Sequence, residues 1–159
     1  MIKKYGLLSE LQVKVLYYKE RGRSFREIST KIGTSHQNIA IAYRRAVRNI
    51  EKAEKTILIY RIISSRANII IKKDKHLAEL PQIIIEECDK RNIKLRSDFT
   101  LLYKMIHFRC RDAICGQKLC KDLFIIIDKE GYPHTYTFEE VKDIIDSLGK
   151  ILDLDIVVY

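Results

Sequence analysis

The sequence predicts an α+β protein: an N-terminal all-α helix-turn-helix domain with a long third helix, followed by a small mixed α/β domain. Three observations predict it. Residues Ser24 to Arg48 carry the cap and turn signals of two helices joined by a tight turn, the second rich in arginine. Between Gly33 and Pro81 no glycine or proline punctuates the chain, so nothing stops that second helix early. From Ala67 the pattern changes to short apolar runs separated by turn residues, as strands alternating with helices do. The 159 residues fit one or two small domains, and this change of pattern divides them into residues 1–66 and 67–159.

Charge divides at the same place. The formal net charge is +9. Residues 1–66 hold 15 Lys or Arg against 5 Asp or Glu, which is +10, and residues 67–159 hold 15 against 16, which is −1. Positive charge confined to the helix-turn-helix half is the footprint of a polyanion-binding domain beside a near-neutral one. No apolar run approaches the roughly 18 residues of a membrane span. The N-terminal stretch MIKKYGLLSELQ lacks the uninterrupted apolar core of a signal peptide. The expected setting is therefore soluble and cytoplasmic, with no membrane partner. Four cysteines do not make a disulfide framework at this size, and intracellular thiols stay reduced.

In chain order, residues 1–8 are expected to form a short arm with Lys3 and Lys4 solvated. Ser9 and Gln12 form a capping box that opens the first helix. Leu8, Leu11, Val15 and Leu16 give it an apolar face, and Gly22 ends it. Ser24 and Glu27 form a second capping box, after which Phe25, Ile28 and Ile32 share one helical face. Gly33 supplies the left-handed residue that closes this helix, and Ser35 caps the next. On the third helix Ile39, Ala42 and Ala46 point inward, leaving His36, Gln37, Asn38, Ile41, Arg44 and Arg45 facing elsewhere. Gln37 and Asn38 have the amide geometry that reads adenine, and Arg44 or Arg45 the geometry that reads guanine or holds phosphate. Arg26, Lys31, Arg48 and Lys52 are expected mostly at phosphate. Ser24, Thr34, Ser35 and His36 complete the DNA-facing set.

The third helix is longer than a three-helix core requires. Ile39, Tyr43, Ala46, Ile50, Ala53, Ile57 and Tyr60 follow one another at spacings 4, 3, 4, 3, 4, 3, a heptad pattern. A helix from His36 to Ile63 is on the order of 42 Å long. Its second half, with Ala53, Ile57 and Tyr60, needs another surface, either the same helix of a second subunit, which the reading favours, or the C-terminal domain. The run Thr56–Ile63 is apolar nearly all round and also suits a strand, but Ala53, Glu54 and Lys55 before it argue for continued helix.

Beyond Ala67, Asn68–Lys72 reads as a buried strand, and Pro81 sits where a first helical turn tolerates it, opening the helix PQIIIEECDKRN. Ile93–Arg96 reads as a second strand. Ser97 is expected to cap a helix from Asp98 to about Arg111, with Phe99, Leu102, Ile106 and Cys110 along one side. Leu123–Asp128 is a strand that turns at Lys129–Gly131 and returns through Tyr132–Tyr136 as a hairpin, with Pro133 near its edge. Thr137 and Glu140 form a third capping box for a helix lined by Phe138, Val141, Ile144, Ile145 and Leu148 and ended by Gly149. Leu154–Tyr159 closes as a strand. This domain is left to dimerise, to bind a small-molecule or metal effector, or both.

Phosphate-loop, dinucleotide, zinc-protease and nucleophile-elbow motifs are all missing, as are paired C-x-x-C motifs, so the reading is no enzyme and no cofactor. One cluster has metal-ligand chemistry: His107, Cys110, Cys115 and Cys120, spaced H-x2-C-x4-C-x4-C. The spacing is not that of a common zinc knuckle, and the expectation is that these are core thiols rather than ligands. Cys88 is expected in the core, and His76 and His134 in surface loops.

The pattern of Leu8, Ser9, Gln12, Val15, Leu16, Gly22, Ser24, Glu27, Ile28, Ile32, Gly33, Ser35 and Ile39 resembles the helix-turn-helix of region 4 of bacterial sigma factors and of response-regulator effector domains. The whole layout resembles more closely the Tfx family of archaeal DNA-binding regulators. The stretch Asn49–Ala53 running into an apolar helix, and the segment from Ile69 through Leu80, Pro81 and Ile83, carry that likeness over most of residues 7–95. Ser29 stands where such motifs usually have alanine, and past about residue 108 the chain departs from the family's pattern. The resemblance implies a sequence-specific transcriptional regulator. Taken with the heptad, the reading is a homodimer bound to double-stranded DNA. The alternative is an adaptor whose helix-turn-helix contacts RNA polymerase or another protein.

Overall fold

The computed structural model describes residues 4–159, and the chain divides into two compact units, the first ending at Leu58 and the second running from Ile59 to Tyr159. Lys3 and the side chain of Lys4 lie outside the described residues.

In the first unit the expected arm is instead a tight hairpin, β1 (Lys4–Tyr5) paired antiparallel with β2 (Leu8–Ser9). Gly6 has φ +63°, which lets the chain reverse there. Helix α1 (Glu10–Lys19) starts at the expected capping box: Ser9 Oγ accepts from the Gln12 N–H and Gln12 Oε1 accepts from the Ser9 N–H. It ends three residues before Gly22. Helix α2 (Phe25–Ile32) has the second box and closes at Gly33, whose φ of 76° and ψ of 39° are left-handed. Helix α3 (His36–Ser64) is continuous for 29 residues, so the strand alternative for Thr56–Ile63 is not what the chain adopts. Val15, Ile28, Ile39 and Ala42 form the buried core of the first unit, with Phe25, Ile32 and Tyr43 packed against it.

The second unit is built on a four-stranded sheet of order β7-β6-β3-β8. Strand β3 (Ala67–Ile71) comes first, followed by helices α4 (Leu80–Lys90) and α5 (Phe99–Arg109). A small hairpin of β4 (Ile114–Cys115) and β5 (Lys118–Leu119) leads into strand β6 (Leu123–Ile127), β7 (Pro133–Thr137), helix α6 (Phe138–Gly149) and β8 (Ile156–Val158). Strand β6 pairs antiparallel with β3 and β7, while β8 pairs parallel with β3. Both central strands, ANIII and LFIII, are buried along their whole length, which is why they show no polar alternation; the one polar residue, Asn68, donates its amide to the Ile62 carbonyl at 3.3 Å. Ile69, Ile71, Leu123, Ile125 and Ile127 share one core with Leu80, Ile84 and Cys88 of α4 and Leu102 and Ile106 of α5. Among the described residues no helix is long and apolar enough to cross a membrane.

Four expectations are corrected here. Ile93–Arg96 is not a strand: Asn92 (φ 53°) turns the chain out of α4, and the Arg96 N–H donates to the Gly131 carbonyl at 2.8 Å. The cap of α5 is Asp98, whose carboxylate accepts from the Leu101 N–H at 2.8 Å, in place of Ser97. His134 lies within β7 and donates to Asp128 at 2.9 Å, so it belongs to the sheet edge and not to a loop. Cys115 and Cys120 are exposed and joined as a disulfide across the β4–β5 hairpin, because the turn at Gly116 (φ +64°) brings their Cα atoms to 5.6 Å. They are neither core thiols nor ligands. Cys110 is buried and free, with its thiol pushed up by burial, and His107 points outward, stacked on Tyr103.

Candidate nucleic-acid interface

The interface residues are held by short-range chemistry. Ser24 Oγ accepts from the Glu27 N–H at 3.2 Å, and the Glu27 carboxylate accepts from the Ser24 N–H at 2.7 Å. The Ser24 N–H, the Ser24 hydroxyl, which donates to the same carboxylate at 2.8 Å, and the Arg23 guanidinium hold the Glu27 carboxyl below its ordinary range. Ser24 is therefore spent on the cap. Arg26 and Lys31 are exposed on α2, and Lys31 Nζ sits 4.9 Å over the Tyr18 ring. Ser24, Arg26, Glu27, Thr30 and Lys31 line one shallow concavity. Thr30 is not among the residues that the sequence singles out, although its place four residues after Arg26 puts the two on one face.

Past the Gly33 turn, Ser35 Oγ accepts from the Asn38 N–H at 3.1 Å and so caps α3. Asn38 Nδ2 donates to Thr34 Oγ1 at 3.2 Å, which ties both side chains to the turn. His36 stands edge-on to Phe25, with ring centroids 6.0 Å apart. Gln37 is exposed and stands at the start of a stripe. Residues 37, 41, 44, 45 and 48 recur at helical spacing, so they share the face of α3 opposite the buried Ile39, Ala42 and Ala46. Ile41, Arg44, Arg45 and Arg48 line a second concavity, and Lys52 continues the same row. Arg44 Nε donates to the Ala40 carbonyl at 3.4 Å, leaving the rest of its guanidinium outward. The Asn49 amide donates to the Leu7 carbonyl at 2.9 Å, fastening the β1–β2 turn to this helix.

Such a face can do two things. Guanidinium groups in a row neutralise phosphates at a helical pitch, and an exposed amide ahead of them can meet a base edge. No group of three or more His, Cys, Asp or Glu among the described residues is arranged to hold a metal ion. Farther along α3 the heptad residues lose their cover. Ile50 is 37% exposed, Ile57 52% and Tyr60 58%, while Ala53 is half-buried.

Known proteins resemble this chain over most of its length. A family profile described as the C-terminal part of the DNA-binding protein TFX matches residues 53–132, so the likeness continues well past residue 108. A candidate transcriptional regulatory protein of Pyrococcus furiosus is 34% identical over 140 residues, covering 86% of this chain and 96% of that protein. Another, of Methanocaldococcus jannaschii, is 32% identical over 79% of this chain and 92% of its own length. The DNA-binding protein Tfx of Methanothermobacter marburgensis is 28% identical over 80% of this chain and 93% of its own.

Proposed function

The chain belongs to the Tfx family of archaeal DNA-binding transcriptional regulators, and from that premise we propose that it acts as a homodimer reading the major groove with the start of α3. The observation that carries this reading is the row Gln37, Ile41, Arg44, Arg45 and Arg48, opposite the core-facing side of the same helix. Gln37 would meet a base edge and Arg44 or Arg45 a guanine or a phosphate. Arg26, Lys31, Arg48 and Lys52 would hold phosphate and set the register. Asn38, tied to Thr34, would contribute chiefly by shaping the turn. The role is one of binding, without catalysis, in the cytoplasm.

Dimerisation would use Ala53, Ile57 and Tyr60, which continue the heptad where cover is lost. A two-fold dimer presents two readout helices, so half-sites should lie about 34–36 Å apart, or at a multiple of that, in an imperfect palindrome. A footprint of the full chain on genomic DNA tests this. Protected sites with paired, inverted half-sites at that spacing support it, and protection of single, unpaired half-sites rejects the dimer.

A further inference from the structure

We propose that the second unit binds a small organic anion with an aromatic or aliphatic body, in the cleft between α5 and the edge strand β7. The cleft measures about 740 Å³, within the roughly 300–1,000 Å³ of small-molecule sites. Its walls divide by chemistry. Leu101, Met105 and Phe108 stand at i, i+4 and i+7 of α5 and form an apolar wall. Phe108 is 79% exposed, a large apolar side chain left open beside a cavity.

The other wall is cationic: Arg61, Lys104 and Arg109 line the cleft, and among the described residues no carboxylate does. Residues 59–159 hold 17 Lys or Arg against 16 Asp or Glu, so three cations in one cleft are a local concentration and not the general charge of the unit. Two of them are organised around one phenol. Arg61 Nη1 donates to Tyr136 Oη at 3.2 Å, and the Arg109 guanidinium lies 5.7 Å from the centre of the Tyr136 ring. Arg109 also approaches Glu140 at 3.6 Å, but the other oxygen of that carboxylate is engaged in the cap of α6. Guanidinium forks beside an ammonium match an oxyanion head, and the α5 wall matches a hydrocarbon body. Strand β7 ends the sheet, so among the described residues one side of its backbone has no strand neighbour, and its residues Pro133, His134, Thr135 and Tyr136 line the cleft.

Charge also selects among occupants. A second copy seated here by two-fold symmetry would bring the same three cations against themselves. Duplex DNA would leave the Leu101, Met105 and Phe108 wall without a partner.

The full chain titrated with anilinonaphthalene sulfonate, beside phenylnaphthylamine as the same ring system without the sulfonate, tests the site by dye fluorescence. The expected result is saturable binding of the sulfonate dye, roughly tenfold weaker for the neutral dye and roughly tenfold weaker in the double variant Lys104→Gln/Arg109→Gln. Phe108→Ser should weaken both dyes. All three side chains are exposed, so a thermal melt should be unchanged. Equal binding of the two dyes overturns the proposal, as does sulfonate binding that neither variant weakens. Conversion of a dimer to a monomer by Phe108→Ser in sedimentation also overturns it, because the cleft would then be an interface between copies. The inference goes beyond the proposed readout of DNA, and its assay contains no DNA, so the two fail separately.

Discussion

Gln37 and Asn38 carry the same amide and hold different positions. Asn38 donates back to Thr34 and so is tied to the turn, while Gln37 opens the outward row of α3. Gln37→Ala should therefore cost about 1–3 kcal/mol at the cognate site, measured by titration, with the salt dependence and the oligomeric state unchanged. An equal loss on random duplex would show that Gln37 holds phosphate and does not read a base. At Gly131 the expectation concerns stability. Its φ is +92°, and a Cβ there would fall 2.2 Å from the Lys94 carbonyl oxygen. That oxygen is backbone, fixed by the neighbouring Arg96–Gly131 hydrogen bond. Gly131→Ala should cost about 2–4 kcal/mol in denaturant unfolding. A loss under about 1 kcal/mol would mean that the 93–96 segment yields easily. This close approach is not legible in the sequence, where Gly131 reads only as a turn residue, because the crowding atom comes from a segment far away in the chain.

Helix α3 is the element on which the proposed dimer rests. Ile57→Asp would put a carboxylate into the heptad seam, where either the charge is buried unpaired or the two subunits separate. Sedimentation should find the variant monomeric, with specific binding abolished and binding to random DNA retained; a variant that stays dimeric places the subunit interface elsewhere. In the second unit, α4 is tied to the two residues that flank β8, Asp155 and Tyr159, by polar contacts. Burial pushes the Glu87 carboxyl up, but hydrogen bonds from Tyr159 and Arg91 and the Arg91 charge hold it below its ordinary 4.5. Arg91 also bridges to Asp155 at 2.5 and 3.1 Å. A carboxyl with a depressed folded pKa adds stability above its unfolded value and loses it as the pH falls through the folded one. Stability should thus be level near neutrality and fall as the pH drops below about 4.5. Glu87→Gln should cost about 1–3 kcal/mol at pH 7, with the gap to the parent narrowing in acid when thermal melts are compared. A gap that is constant with pH would mean that packing, not charge, carries Glu87. Elements like these are legible where their signals are local. The boxes Ser9–Gln12, Ser24–Glu27 and Thr137–Glu140 each lie within one helical turn, and each is present. The Ile93–Arg96 segment misleads because apolar content alone cannot say whether a partner strand is at hand. The β4–β5 hairpin and its disulfide escape a reading by pattern because two-residue ladders leave no periodicity.

Across the whole molecule, the charge partition is readable because it needs only counting, and the row on α3 because its members follow helical spacing. The α5–β7 cleft is not readable, since Arg61, Phe108 and Tyr136 meet only through the fold of the second unit. Everything proposed for the first unit depends on the α3 row gripping DNA. Salt titration of the full chain on duplex DNA, beside Arg48→Ala and Lys52→Ala, is the sharpest test. Log K should fall steeply and linearly with log salt, with each substitution removing about one unit from the slope and weakening all sequences alike. Absence of binding at low salt, or a slope untouched by both substitutions, would contradict this and favour the adaptor reading, in which the same helices contact a protein.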